Sequence, residues 1–204
     1  MASGAGLPGA MTGLDAVVDV LQGPSAVLVD GVRRALAAAS AEGVGHVVSL
    51  SIVGVDRVHL RYYRAKVAQE AEVRTSGVPW SVVRATQFHS LVAGLFAAGA
   101  RGGVLPLVRA PIQPVDVRDV AGALVDRVEA GPDGAVSHFG GPRVERLDRL
   151  ARAWAAAEGV RRLPLPLPLP AAGSMLRAVR DGGLTDPTAA RGRVGFHEWL
   201  RAGT

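Results

Sequence analysis

His46-Val-Val-Ser-Leu-Ser-Ile-Val53, closed by Gly54, then Tyr62-Tyr-Arg-Ala-Lys66-Val-Ala-Gln-Glu70 running on to Thr75, then Trp80-Ser-Val-Val-Arg84 after Ser76-Gly77 and Pro79, is the stretch that decides the fold. A mostly apolar run rich in β-branched residues and ended by glycine predicts a buried strand. Tyr62 to Thr75 predicts a helix, which Ser76-Gly77 and Pro79 stop. Trp80 to Arg84 predicts another strand. Strand, helix and strand in this order imply a parallel pair joined by a crossover helix.

Upstream, Leu14-Asp-Ala-Val-Val-Asp-Val20 predicts a short buried strand ended by Gln22-Gly23-Pro24-Ser25. Ser25 is placed to cap a helix whose Val29, Val32, Leu36 and Ala39 follow helical spacing up to Gly43. Downstream, helices are predicted over Ser90–Ala100, Val115–Ala130 and Leu147–Glu158, and a strand over Val104–Val108. Leu163-Pro-Leu-Pro-Leu-Pro-Leu-Pro170 predicts an extended polyproline-like connector, serving as a stiff linker rather than a ligand for an aromatic groove. Trp199 and Leu200 are expected to dock the last helix, and the first thirteen residues are small, Gly-rich and aperiodic. The alternation over Leu14–Arg84 gives an α/β fold with helices on both faces of a parallel sheet.

Length and composition agree with one domain, or with one that carries a small appendage. The chain has 204 residues, 49% hydrophobic and 20% charged, and a mean hydropathy of +0.24. Such a chain fills a core and is not a disordered tail. No cysteine is present, which excludes disulfides and thiolate metal sites. No secretory leader or membrane span is read in the sequence, so the expected compartment is cytoplasmic, with no membrane partner. The net charge of +5 is spread as single and paired arginines with acidic neighbours, without aromatics between them, so no nucleic-acid partner is expected. Of 23 basic residues only Lys66 is a lysine. A chain that otherwise uses arginine needs a local reason for one lysine.

Tyr62 and Lys66 stand four apart at a helix start, and so project from nearly the same face. An ammonium beside a phenol favours the phenolate and makes the tyrosine a better proton donor or acceptor; it can also hold ribose hydroxyls. Tyrosine and lysine at this spacing are common on helix surfaces. A sole lysine falling four after one of two tyrosines has a chance of about one in a hundred. Ser51 lies at the carboxyl end of the preceding strand, where ligands of open α/β sheets bind, and its hydroxyl suits a substrate carbonyl or developing alkoxide. Gly4-Ala-Gly-Leu-Pro-Gly9 spells a dinucleotide fingerprint but lacks a strand before it. The five histidines show no metal-ligand spacing, so no metal is expected, and no Gly-x-Ser-x-Gly elbow exists. His89 reads as a pocket-lining residue or as a packing or surface histidine. Asp116 and Asp119 read as a helix cap and a dipole partner.

Ser51-Ile-Val-Gly-Val-Asp56, Tyr62-Tyr63-Arg-Ala-Lys66 with Gln69-Glu70, and Gly77-Val-Pro-Trp80-Ser-Val-Val-Arg84-Ala-Thr-Gln87-Phe88-His89 together resemble the NmrA-like, atypical branch of the short-chain dehydrogenase/reductases. The similarity continues through Gln113-Pro-Val-Asp116-Val-Arg-Asp119 and Gly140-Gly141-Pro142. It implies an incomplete Rossmann-type doubly wound parallel sheet. Residues 1–13 would be a flexible start, 14–140 the truncated NAD(P)-binding domain and 141–204 a C-terminal helical substrate-side segment. By resemblance, Tyr62, Lys66 and Ser51 take the catalytic roles. Gly23, Pro24, Ser25, Lys66 and Thr86 lie along the cofactor, and Gln87, Phe88 and His89 face the substrate.

In that family a glycine-rich turn lies upstream of the part matched by Leu14–Val20, and Gly4 to Gly9 does not replace it. The sequence thus reads as a shortened gene product, a chain with a mis-assigned start, or a remnant without cofactor affinity. Loss of the neighbouring strands would leave Ala16–Val20 an open edge through which the chain is expected to self-associate. The resemblance implies a cofactor, NAD or NADP, a small-molecule substrate and hydride transfer at a carbonyl or alcohol carbon. A dinucleotide-sensing regulator without turnover is the alternative.

Overall fold

The computed structural model describes residues 4, 6–58, 60–167 and 174–203. In chain order its elements are α1 (Leu7–Met11), β1 (Ala16–Asp19), α2 (Ser25–Ala41), β2 (His46–Ile52), α3 (Arg61–Thr75), β3 (Trp80–Ala85), α4 (His89–Arg101), β4 (Val104–Val108), β5 (Pro111–Ile112), α5 (Val117–Glu129), β6 (Val136–Gly140), β7 (Glu145–Arg146), α6 (Leu147–Ala157), β8 (Leu163–Leu167), α7 (Ser174–Arg180), β9 (Ala190–Arg191) and α8 (Phe196–Arg201). The central sheet has the order β1-β2-β3-β6-β9. β1 runs parallel to β2 with Ala16 opposite His46, and β6 runs parallel to β9 with Phe139 opposite Ala190. This is the α/β architecture that the strand–helix alternation implies.

Two compact units are present, Met1–Arg84 with Ala121–Ser137, and Ala85–Val120 with His138–Thr204. In the first, α2 packs on α3, and Val32, Leu36, Ala39, Val47, Val73 and Val82 close a core around them. Valine dominates because β2 is buried on nearly its whole length, and a strand covered on both faces reads as a continuous apolar run. β1 ends the strand order, and Val18 and Val20 on and beside it are 42% and 53% exposed. In the second unit, Phe96, Leu150, Trp154 and Phe196 anchor a separate core. Asp116 accepts the Arg118 N–H at 2.7 Å and caps α5, as its position at the helix start predicts. Asp119 stands in the first turn of α5, as expected of a dipole partner, and also holds the C-terminal segment, accepting the N–H groups of Arg193 at 2.8 Å and Val194 at 3.0 Å.

Two expectations change. The opening residues are not aperiodic: Gly6 adopts φ 84° and Pro8 sits in the first turn of α1, whose Met11 is buried. Pro costs nothing there, because the first helical N–H groups have no intrahelical acceptor. Gly4 and Gly6 take positive φ at that turn, while Ala5 lies outside the described residues.

The Leu-Pro repeat is likewise not a free connector. Leu163–Leu167 pairs in parallel with β4, with Val104 opposite Leu163 and Val108 opposite Leu167. A period of two puts the leucine N–H groups on one side of the strand and the prolines, which have none, on the other. The alternation suits an outermost strand, pairing through its leucines while the prolines close the open edge to further strands. Pro168, Leu169 and Pro170 lie outside the described residues.

Candidate functional site

In the first unit the polar side chains gather around Asp19, the last residue of β1. An acidic side chain at the end of an apolar strand would be costly to bury alone. Asp19 is 6% exposed, and three donors compensate it. Its carboxylate accepts Leu21 N–H at 3.0 Å, the Ser49 hydroxyl at 2.9 Å and the Gln69 amide at 2.6 Å. Gln69 lies on α3 one turn past Lys66, so its amide oxygen reaches back to the ammonium at 2.9 Å.

Lys66 is 4% exposed. Besides Gln69, its ammonium donates to the carbonyls of Leu50 at 2.9 Å and Leu21 at 3.3 Å. Burial pushes its pKa down, and the charges of Asp19 and Glu70 oppose that shift. Tyr62 is half-buried in the first turn of α3, with its ring centroid 6.4 Å from that of Tyr63.

The Tyr62 phenol is not tuned by the Lys66 ammonium as its spacing led one to expect. Burial raises the Tyr62 pKa, and no ammonium charge is among the causes. All three Lys66 bonds go to carbonyl oxygens, so the four-residue spacing places both residues on α3 without coupling them. A tyrosine in this state stays protonated at neutral pH and is a proton donor.

Ser51 is 3% exposed, on β2 next to its end, and its hydroxyl finds no partner among the described residues. Buried hydroxyls are ordinarily satisfied, so one without a partner at the carboxyl end of a parallel strand fits a ligand oxygen. Gly23 and Pro24 form the turn into α2; Ser25 is its first helical residue, and the N-cap position expected for Ser25 falls to Pro24. Gly23 has φ 138°, and no side chain caps the helix. No acidic residue lies in the first turn of α2.

In the second unit, Thr86 is buried and its hydroxyl accepts the Gly141 N–H at 3.2 Å. Gln87 is 8% exposed, and neither end of its amide has a partner among the described residues. Phe88 is half-buried and bridges to Val115 at the entry to α4. His89 is 1% exposed, its Nε2 lies 3.0 Å from the Val194 carbonyl, and burial lowers its pKa. A neutral ring donating from Nε2 leaves Nδ1 as an acceptor, and that atom has no partner among the described residues. His89 also packs edge-on against Phe196, in keeping with the packing alternative for this residue.

The Ser51 hydroxyl in the first unit and the Gln87 amide in the second are each left without a partner among the described residues. Asp19, Ser49, Gln69 and Gln113 have no role assigned by the sequence, although Gln69 and Gln113 stand in the stretches that carry the resemblance. The first could have been found as the one charge at the end of an apolar run. Gln113 is 1% exposed, donates to the Gly141 carbonyl at 2.9 Å and accepts from the Asp186 N–H at 2.9 Å. Nothing in its neighbouring sequence announces those long-range partners.

Comparison with known proteins places this geometry in a family. Residues 3–130 match the model of an NAD(P)H-binding family. Over 144 residues the chain is 36% identical to a (4-alkanoyl-5-oxo-2,5-dihydrofuran-3-yl)methyl phosphate reductase of Streptomyces griseus, covering 68% of this chain and 50% of that reductase. The chain thus spans half the length of that relative. Among solved structures, the NADPH complex of the NADPH-dependent quinone oxidoreductase QOR2 of Escherichia coli superposes with a TM-score of 0.78 at 19% identity, covering 98% of this chain and 80% of that one. The triphenylmethane reductase of Citrobacter sp. with NADP(H) gives 0.75 at 15% identity, covering 98% and 80%. These likenesses establish the fold, and the family match establishes the kinship: the chain belongs to the NAD(P)H-binding family.

Proposed function

We propose that this chain acts as an NAD(P)H-dependent reductase of a small carbonyl-bearing substrate, with Ser51, Tyr62 and Lys66 as its working residues. The observation that carries the reading is the Ser51 hydroxyl, buried on β2 without a protein partner. A donor in that position is available to a carbonyl oxygen that becomes negative as its carbon is reduced. NAD(P)H supplies the hydride when bound. Tyr62, kept protonated by burial, gives the oxygen its proton and recovers one from water. Carbonyl, hydride and proton together make an alcohol, so the balance closes. Lys66 holds the chain around Leu21 and Leu50, and the turn through Gly23, Pro24 and Ser25 lies beside the cofactor. Thr86 is proposed to contact the cofactor, and Gln87, Phe88 and His89 the substrate. The reductase of Streptomyces griseus is named for a substrate with oxo and alkanoyl groups, which supports a carbonyl compound as the class.

The test follows oxidation of NADPH and NADH in the presence of a quinone or a butenolide. Ser51→Ala is expected to lower turnover by about 10²–10³-fold while dinucleotide affinity stays within about twofold. Ser51→Thr restores part of the rate. Tyr62→Phe is expected to lower turnover likewise, and the wild-type rate should hold through neutral pH and fall only where the phenol ionises, above its ordinary value of 10.0. Binding without oxidation of either dinucleotide, for every acceptor, would instead favour a sensor.

A further inference from the structure

The Gln69 amide lies between two groups that each tolerate one orientation only. A carboxylate accepts and never donates, so Asp19 takes the Gln69 NH₂ at 2.6 Å. An ammonium donates and never accepts, so Lys66 takes the amide oxygen at 2.9 Å. Both partners agree on the same amide orientation. Ser49 and Leu21 N–H hold the carboxylate in turn, from β2 and from the residue beyond Val20. Gln69 is 1% exposed and Lys66 4%, so neither can trade these bonds for water without opening the structure.

We propose that Asp19 and Gln69 are positioning residues: the carboxylate fixes the amide, and the amide oxygen fixes the Lys66 ammonium on the carbonyls of Leu21 and Leu50, setting the turn that leads to Gly23, Pro24 and Ser25. The proposal rests on the cofactor reading of that turn. Asp19 acts at a distance here, since its bond is to Gln69 and not to Lys66. An asparagine at position 19 can present its own NH₂ to Gln69, which lets the amide turn over and meet the ammonium donor to donor. Losing one acceptor in this way frees Lys66, and with it the Leu21 carbonyl.

The sole lysine makes the test specific, because protein carrying nitrogen-15 at lysine Nζ gives one ammonium resonance, that of Lys66. Wild-type protein should show slow exchange of its Nζ protons with water near neutral pH. Asp19→Asn and Gln69→Leu should each speed this exchange by about tenfold or more. The double variant should exceed Gln69→Leu by far less than the product of the two single effects, because the hydrogen-bond route from Asp19 to Lys66 runs through that amide and only the direct pull of the carboxylate charge is left to lose. Dissociation constants for NADPH and NADH should rise about tenfold in the same variants, with a smaller change in kcat. Exchange within twofold of wild type in Asp19→Asn, or effects that add in the double variant, would overturn the relay. If Asp19→Asn does not fold, Ser49→Ala tests the same point: it loosens the carboxylate and should speed exchange by a smaller factor, and no change would count against the relay. Wild-type protein that binds neither dinucleotide overturns the cofactor reading and the assigned purpose with it, an outcome distinct from a relay failing in protein that binds.

Discussion

Replacing Glu70 by alanine is expected to lower the unfolding free energy by about 3–5 kcal/mol, because it leaves a buried guanidinium without its main partner. Glu70 is 1% exposed and Arg84 9%. The two form a bidentate pair, with Arg84 Nε and Nη2 each donating at 2.9 Å. This bond is the largest cause of the raised Arg84 pKa. Arg74, one turn along α3, donates to the same carboxylate at 2.7 Å. After the substitution Arg84 keeps only Asp56, at 2.8 Å, whose side chain is 53% exposed. A screened partner of that kind contributes at most about 1 kcal/mol. Urea unfolding of Glu70→Ala against wild type measures the difference, and a loss below about 1 kcal/mol would show that water reaches Arg84. Glu70→Gln keeps one acceptor and should fall between the two.

Gly141→Ala is expected to cost a comparable amount in the second unit. A Cβ at Gly141 would overlap the Pro114 carbonyl oxygen, and the obstacle is backbone, which cannot rotate away. The same residue is bound at both ends, its N–H to Thr86 at 3.2 Å and its carbonyl to Gln113 at 2.9 Å. Any shift that admits the methyl group must therefore break one of two buried hydrogen bonds. We expect a loss of about 3 kcal/mol or more, or failure to fold. Gly94 on α4 is the matching control, with no atom within 4 Å of its would-be Cβ. Gly94→Ala should leave stability unchanged or raise it by about 0.5–1 kcal/mol. Thermal unfolding of the two variants side by side separates crowding from the general effect of losing a glycine.

The fold was legible wherever one pattern dominated locally. β2 and β3 are short apolar runs between glycine and proline stops, and α2 and α3 have helical spacing and clear ends. Packing alone decides the Leu-Pro repeat, because polyproline and an edge strand share nearly the same backbone angles and differ in whether β4 lies alongside. The site divides in the same way. The place of Ser51 on β2 was readable from the strand pattern, and that of Tyr62 and Lys66 on α3 from the helix pattern. Which acceptors Lys66 finds was not, since Leu21 and Leu50 come from 45 and 16 residues away. Asp19 and Gln69 meet across 50 residues, a distance at which no local periodicity speaks.

Titration of the purified chain with NADPH and with NADH, followed by isothermal calorimetry and nicotinamide fluorescence, tests the central claim most directly. The account predicts saturable binding of at least one dinucleotide at submillimolar concentration, with emission enhanced as the ring leaves water. Heats of dilution alone and unchanged emission for both, up to millimolar concentration, would contradict it.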